Sequence, residues 1–122
     1  MVVASNTTLR AMAMHVLRGL TGRFSAPVRR FVVVDESMRP GLVPGQGIIA
    51  IRWPRRRRGQ RRIVAHPYEQ MLIVKRLERR ETDGRWWVTA DNPAGTDSSH
   101  FGSVDLTTSW LVVVTVPLRL MR

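Results

Sequence analysis

The hydrophobic residues follow two different patterns along the 122-residue chain. In residues 7–24 they recur at helical spacing, as Leu9, Ala13, Val16, Leu17, Leu20 and Phe24. One of the polar residues 5–7 is a candidate cap for the start of this helix. Later in the chain, the apolar residues form short runs of strand length with Gly and Pro between them. The pattern predicts an N-terminal amphipathic helical segment, 1–26, followed by a β domain, 27–122, with one domain overall.

Six strands are predicted in the β domain. In chain order they are Arg30–Val34, Gly47–Trp53, Arg62–Ala65, Gln70–Glu78, Arg85–Ala90 and Leu111–Val116. Asp83-Gly84 is a two-residue hairpin turn between the fourth and the fifth strand. Trp86 and Trp87 follow it and point to opposite faces, so at most one of them belongs to the central core. Short strands after a single helix predict a mainly β fold, a partly closed β-barrel or sheet.

The net charge of +11 lies entirely in the first half of the chain. Residues 1–62 hold thirteen arginines and two acidic residues, whereas residues 63–122 hold seven basic and seven acidic residues. Arg52–Arg62 alone has seven arginines in eleven residues. This asymmetry suggests an anionic partner, either lipid headgroups or nucleic acid, although a solvated loop is the simpler interpretation. Because Trp53 is its one aromatic residue, the loop lacks a base-stacking platform, and nucleic acid is the less favoured partner.

The predicted helix is basic as well as amphipathic, through Arg10, Arg18 and Arg23. Such a helix can lie on an anionic membrane surface, but more often it packs on its own domain. No stretch reaches the roughly 20 apolar residues that cross a bilayer, and the N-terminus does not have the pattern of a signal peptide. We therefore expect a cytoplasmic protein, with peripheral membrane contact as an alternative location.

The composition excludes several kinds of site. The chain has no cysteine, so it has no disulfide, no thiol nucleophile and no thiolate metal site. His15, His66 and His100 are scattered and show no metal-ligand spacing. We therefore predict neither a metal site nor a cofactor.

The chain has nineteen arginines but a single lysine, Lys75. If its segment is a strand, the lysine shares a face with three apolar residues, Met71, Ile73 and Leu77, and Arg76 points the other way. Burial in such a place lowers the pKa of an amine, whereas an arginine stays protonated. Lys75 is therefore a candidate for an amine that loses its proton, although codon bias also leaves stray lysines in arginine-rich chains.

A serine and a polar loop complete the candidate chemistry. Ser37 follows an apolar strand in Asp35–Leu42, where a proline-containing turn exposes its hydroxyl on a rigid edge. Asp91–Pro93 and Thr96–Gly102 form a polar loop of turn residues. A serine hydroxyl needs an adjacent base to become a nucleophile, and a neutral lysine is such a base. Ser37 and Lys75 are the predicted catalytic pair.

The order of these segments resembles the signal peptidase I family of serine endopeptidases, over about Phe31–Pro117. Ser37-Met38-x-Pro40 is similar to the nucleophile box, and Lys75-Arg76 is similar to the general-base box. Pro44–Ile51 resembles the turn-and-strand box of the family, and Asp91–Gly102 resembles its last box. The resemblance implies the fold shared by signal peptidase I and the repressor autoproteases, and a Ser–Lys dyad.

The resemblance also implies roles in catalysis. Ser37 would be the nucleophile and Lys75 the general base. Ser98 would orient the lysine amine while Asp97 fixes the supporting loop, with simple turn capping as the alternative role of both.

Substrate contacts are implied in the same way. Met38 and Pro40 are candidates for lining the substrate cleft, although methionine is also a common packing residue. A substrate strand is expected to pair beside Phe31–Val34 or near Gly47–Trp53, with small residues at the first and third positions before the cut.

Four positions depart from the family pattern. Gln46 stands where an aspartate is usual, Ala90 where a glycine is usual, and Ser99 where an arginine is usual. Asp35 replaces a small residue that can help to form the oxyanion hole. Because a carboxylate there would oppose the developing negative charge, we expect Asp35 to point away and the N–H of Ser37 to be the main donor.

The expected activity is removal of an N-terminal leader from a precursor protein by a serine-type endopeptidase. With no membrane anchor visible, and with Val-Lys-Arg-Leu and Asp-Asn-Pro boxes, the chain resembles the maturation proteases of nickel superoxide dismutase. In that case the nickel belongs to the substrate. Three alternatives stay open: a generic signal peptidase-like enzyme with another precursor, a catalytically silent signal peptidase relative, and a basic β domain that binds nucleic acid or an anionic membrane.

Overall fold

A computed structural model describes residues 2–4, 27–35 and 37–121. Its strands are β1 Val2–Ala4, β2 Val28–Val33, β3 Gly47–Ile51, β4 Arg61–Ala65, β5 Leu72–Arg80, β6 Trp86–Thr89 and β7 Trp110–Val116. Helix is limited, in these residues, to α1 Ser98–Phe101 and a 3-10 turn at Leu118–Leu120. The mainly β prediction is confirmed, and all six predicted strands are present with shifted ends. The short β1 was not predicted, and the helix predicted over 7–24 lies outside the described residues.

The strands form one antiparallel sheet in the order β1-β2-β3-β7-β4-β5-β6. Six of them make up the main sheet, and the three-residue β1 extends its edge at β2 through pairs such as Val2 with Val33. One further pair, Val2 with Leu72, links β1 to β5. Because this link is a single pair, the sheet curls toward a barrel without closing into one.

Two hydrophobic clusters pack on the two faces of β4 and β5. Ile63 and Val74 belong to the first, which also holds Phe31 and Met38. The second contains Val64, Ile73, Leu77, Trp86, Val88, Phe101, Val104 and Leu106. Adjacent residues of one strand therefore enter different clusters, so this part of the sheet is buried on both sides.

A hairpin turn joins β5 to β6 at the predicted place, but it is longer than the predicted two residues: Glu81 bonds to Arg85, so the loop is Thr82, Asp83 and Gly84. Gly84 has φ +87°, a left-handed conformation that favours glycine, and the N–H of Glu81 donates to the carbonyl of Arg85 at 2.7 Å. Trp86 is buried in the second cluster, whereas Trp87 is half-buried at the surface. The prediction that the two tryptophans face opposite sides is confirmed.

None of the helices in the described part of the chain is both long and apolar enough to cross a membrane.

Candidate active site

Ser37 lies in the turn that follows β2 and is 7% exposed. Residues 91–97 pack against this turn, and the N–H of Asn92 donates to the Ser37 carbonyl at 2.9 Å. The N–H of Asp91 donates to Sδ of Met38 at 3.4 Å. Two segments that are more than fifty residues apart in sequence are therefore fixed against each other by backbone contacts.

Gly95 packs directly on the serine. A β-carbon at this position would lie 2.8 Å from Cβ and 2.9 Å from Cα of Ser37, and 3.0 Å from Cβ of Ala90. A glycine permits this approach without a shift of the serine. The sequence analysis missed Gly95, although its place in the turn sequence Pro93-Ala94-Gly95 was a signal that could have indicated it.

An open cleft of about 280 Å³ lies beside the serine. It is lined by residues from the serine turn and from the 91–97 loop, namely Asp35, Ser37, Asn92, Ala94, Gly95 and Thr96. Its volume is near the lower limit of small-ligand sites. The serine hydroxyl thus has a reachable space next to it.

Lys75 is 1% exposed and lies on the apolar face of β5 with Ile73 and Leu77, as the alternation of the strand predicted. Loss of water on burial lowers the pKa of its amine below the ordinary value. The negative charges of Asp35 and Asp97 oppose this effect without cancelling it. Both carboxylates are therefore within electrostatic reach of the amine.

The β5–β6 ladder positions the lysine relative to the serine turn. Arg76 pairs with Thr89, and the same register continued by one residue sets Lys75 opposite Ala90. The methyl group of Ala90 lies beside the same glycine that packs on the serine. The strand that carries the amine therefore borders the turn that carries the hydroxyl.

Asp35 does not point away from the serine, so that expectation was wrong. Its Oδ1 accepts hydrogen bonds from Oγ of Ser37 at 3.0 Å and from the N–H of Ser37 at 3.3 Å. Burial alone would raise the pKa of Asp35, but nearby positive charge and, to a smaller extent, the bonds from Ser37 bring the pKa below its ordinary value. Among the described residues no hydrogen bond joins Ser37 to Lys75, because the hydroxyl donates to this carboxylate instead.

Arg76 points away from Lys75, as predicted, and supports the site from outside. Its Nε and Nη2 donate to the two carboxylate oxygens of Asp91 at 2.8 and 2.7 Å. The hydrogen bond from Arg76 is the main reason that the pKa of Asp91 lies below its usual value. A third donor, Nη1, binds the carbonyl of Gly59 at 2.8 Å, so one guanidinium joins two loops.

Asp97 and Ser98 both act within the supporting loop. Asp97 is the N-cap of α1: its carboxylate accepts from the N–H of Ser99 at 2.9 Å, and His100 completes the capping box. The hydroxyl of Ser98 is buried and accepts from the N–H of Val88 at 2.8 Å. Asp97 therefore makes the contacts of a cap, Ser98 joins the loop to β6, and the link from Asp97 to Lys75 is electrostatic.

Met38 and Pro40 were the candidates for lining a substrate cleft. Met38 is fully buried in the first cluster, and neither residue is among those that line the cleft. Pro40 is exposed on the turn. The contacts of Met38 are therefore those of a packing residue.

The two edges expected to receive a substrate strand are already paired. β2 has β1 on one side and β3 on the other, and β3 lies between β2 and β7. Through its pairs with Val33 and Leu72, Val2 bridges the strand that leads to Ser37 and the strand that carries Lys75. In this state β1 fills the place of an added strand.

No three His, Cys, Asp or Glu side chains of the described residues are grouped so that they could hold a metal ion. The chain as a whole was also compared with known proteins. No protein-family model matches it, and no curated protein and no solved structure is significantly similar to it.

Proposed function

We propose that the chain is a serine-type endopeptidase that uses Ser37 and Lys75 to remove an N-terminal leader from a precursor protein. The observation that carries the proposal is the single lysine of the chain, which is 1% exposed, has a lowered pKa and borders the serine turn. Structural lysines are rarely buried to this extent, because the charged amine loses its hydration. A base for serine needs such a setting, since it must be neutral near the working pH.

The proposed reaction is acyl transfer. Neutral Lys75 takes the proton from Oγ of Ser37 as this oxygen attacks the peptide carbonyl carbon. The resulting lysine ammonium gives the proton to the leaving amine, and the C–N bond breaks to leave an ester on Ser37. Lys75 then activates a water molecule, which hydrolyses the ester and frees the serine. The chemistry uses no cofactor.

Asp35 adds a step before the attack. In the described state its carboxylate holds both the hydroxyl and the N–H of Ser37, and that N–H is the donor proposed for the oxyanion. A carboxylate left there would repel the negative charge that develops on the substrate oxygen. We infer that substrate binding displaces the carboxylate of Asp35, so that the hydroxyl of Ser37 can donate its hydrogen bond to Lys75 instead.

The substrate is proposed to bind as an extended strand. The strand would replace β1 between β2 and β5, since this place lies next to both Ser37 and Lys75. The open cleft beside Ser37 would receive a side chain next to the scissile bond. Small residues at the first and third positions before the cut are expected, and nickel superoxide dismutase is the candidate precursor, with the nickel bound by the substrate.

The direct test is intact-mass analysis of a nickel superoxide dismutase precursor coexpressed with the protein. Wild type should remove the leader, whereas Ser37→Ala and Lys75→Arg should leave the precursor intact. Ser103→Ala is the matched control, because this serine lies outside the site and its variant should still cleave. Cleavage that survives both Ser37→Ala and Lys75→Arg would contradict the dyad.

One observation favours a second candidate, a catalytically silent relative. The carboxylate of Asp35 occupies the N–H of Ser37 that an active enzyme needs. If neither wild type nor any of these variants cleaves the precursor, Asp35→Ser separates the two candidate functions. Cleavage by this variant would identify a silenced peptidase, and continued inactivity would overturn the choice of precursor.

A further inference from the structure

The arginine-rich loop, defined here as residues 52–60, has an ordered internal frame. The side chain of Gln60 holds it at two points: Oε1 accepts from the N–H of Arg57 at 3.2 Å, and Nε2 donates to the carbonyl of Arg55 at 3.2 Å. The N–H of Gln60 also donates to the carbonyl of Arg57 at 3.2 Å. Repulsion between the cations alone would leave the loop open to solvent without a fixed conformation, whereas these hydrogen bonds give it a defined one.

A buried arginine holds the loop from below. Arg62 is 0% exposed, and its Nη2 donates to the carbonyl of Arg55 at 2.7 Å. Its Nε donates to Gln60 at 3.0 Å and its Nη1 to the hydroxyl of Ser109 at 3.0 Å. The expectation that all arginines of this segment stay solvated was therefore wrong for Arg62.

The loop is also attached to the sheet. The N–H of Gly59 donates to the carbonyl of Leu77, and the N–H of Leu77 donates to the carbonyl of Gln60, both at 2.8 Å. Nη2 of Arg56 donates to the carbonyl of Leu106 at 3.1 Å. The backbone of the loop thus has a defined position against the second cluster.

The outer face of the loop is strongly cationic. Arg55, Arg56, Arg57 and Arg58 are all exposed. Within the described ranges no ion pair joins Arg55, Arg57 or Arg58 to a carboxylate. Exposed guanidiniums without an ion-pair partner attract an anionic partner, and less conformational entropy is lost when a partner binds because the backbone is already ordered.

The loop is connected to the candidate active site. Arg76 binds the carbonyl of Gly59 in the loop and both carboxylate oxygens of Asp91. The residue after Asp91 donates its N–H to the carbonyl of Ser37. The cationic loop is therefore linked to Ser37 through the side chain of Arg76 and one backbone hydrogen bond.

We propose that this loop is a docking surface for an acidic segment of the protein substrate. The inference deepens the proposed endopeptidase function, on which it rests. Membrane insertion is disfavoured, because Trp53, 37% exposed, is the one exposed large hydrophobic residue in the loop, and the others of the described residues, Val34, Tyr68, Leu118 and Leu120, lie outside it. Trp53 is the one aromatic residue in the loop, which disfavours single-stranded nucleic acid.

The test measures binding separately from cleavage, by using Ser37→Ala as the parent protein. The probe is a fluorescein-labelled peptide of twelve glutamates, with a peptide of twelve glutamines as the neutral reference, and fluorescence anisotropy reports binding. Arg57→Gln with Arg58→Gln should weaken binding of the glutamate peptide about fivefold or more. Arg80→Gln with Arg119→Gln removes the same charge from exposed positions elsewhere and should change binding less than about twofold.

Gln60→Ala provides a test at constant charge. It removes the side-chain bonds that hold the loop, so binding should weaken although the net charge stays the same, and circular dichroism verifies the fold. The proposal would be overturned if the double variant in the loop (Arg57→Gln with Arg58→Gln) and the distant one (Arg80→Gln with Arg119→Gln) weakened binding equally. It would also be overturned if Gln60→Ala left binding unchanged.

Two further probes test the choice of partner. The probes are vesicles with 30% phosphatidylglycerol and a 20-nucleotide single-stranded DNA. The double variant Arg57→Gln with Arg58→Gln should weaken the binding of each probe less than it weakens the binding of the glutamate peptide. A greater dependence of either probe would overturn the choice of an acidic polypeptide. If the binding pattern holds but neither wild type nor Asp35→Ser cleaves the precursor, the docking surface for an acidic segment stands and the choice of precursor fails.

Discussion

Lys75 and Arg62 are cross-strand neighbours in the β4–β5 ladder. Both side chains are almost completely buried, at 1% and 0% exposed. Their surroundings differ. Arg62 donates to three neutral acceptors, on Gln60, Ser109 and Arg55. Lys75 has an apolar face around it and two carboxylates, Asp35 and Asp97, within electrostatic reach.

The difference shows what each side chain can do. Burial and the charge of Arg56 lower the pKa of Arg62 to about 10, which still leaves it charged at neutral pH. A permanent cation with directed donors can hold a loop but cannot accept a proton. Burial also lowers the pKa of Lys75, and this amine has a neutral form that can act as a base. One position is therefore structural, and the other is suited to catalysis.

The largest effect is expected from exchanging the two residue types. Lys75→Arg keeps a charge but removes the base, so peptidase turnover should fall by about 10²–10⁴-fold. Arg62→Lys also keeps a charge, loses the forked donors, and should retain turnover close to wild type. Cleavage rates of a precursor compare the two variants. Similar losses in both would contradict the separation of roles.

Apolar substitutions should affect stability in the opposite order: the loss of folding stability should be larger at Arg62 than at Lys75. Arg62→Met leaves the acceptors on Ser109, Gln60 and Arg55 without their donor and should lower the free energy of unfolding by about 2–4 kcal/mol. Lys75→Met removes a desolvated amine and should be neutral or stabilising. Urea denaturation measures both.

The free energy of unfolding should also depend on pH in a defined direction. Because the folded-state pKa of Lys75 lies below its unfolded value, wild-type stability rises with pH between the two. The advantage of Lys75→Met should therefore be greatest below the folded pKa and shrink as pH rises. An advantage that grows with pH would contradict the burial argument.

Gly95→Ala should disturb the serine without touching either cation. The added methyl group would lie 2.8 Å from Cβ of Ser37, and the serine must move. A displacement of this kind should reduce turnover by about 10–10²-fold. Gly41→Ala is the matched control, because the nearest atom to its β-carbon would be the carbonyl oxygen of Met38 at 3.7 Å, an ordinary contact. Equal turnover of the two variants would show that the close approach is unimportant.

Asp35→Asn should have the smallest effect, a shift in the pH profile of turnover. The negative charge of Asp35 raises the pKa of Lys75, so its removal should lower that pKa further. Neutral amine then becomes available at lower pH, and the acidic limb of the profile should move to lower pH. Glu69→Gln is the control, because it removes an exposed negative charge that is not among those acting on Lys75. A shift to higher pH would contradict the electrostatic link.

The strands and the apolar setting of Lys75 were predictable because they depend on alternation, a local property of the sequence. The turn at Asp83-Gly84 was predictable for the same reason, since turn chemistry is local. The tertiary contacts were not. Gly95 against Ser37 arises from two loops more than fifty residues apart, and β1 has only three residues.

Charge arguments from sequence failed where they assumed exposure. Arg62 lies in a run of arginines, yet β4 carries it inside, where alternation on the strand outweighs the solvation of a charged residue. Asp35 was expected to avoid the serine because of charge repulsion in the reaction. In the described state no substrate charge exists, and the carboxylate gains two hydrogen bonds from Ser37.

The most direct test of the central claim is an NMR titration of Lys75. Because the chain has one lysine, protein grown with ¹³C,¹⁵N-labelled lysine gives a single side-chain signal, which needs no assignment. The chemical shift should titrate with a midpoint below the ordinary value of 10.5, and the midpoint should fall further in Asp35→Asn. A midpoint at or above 10.5 would show that the amine keeps its proton, and would contradict its role as the base for Ser37.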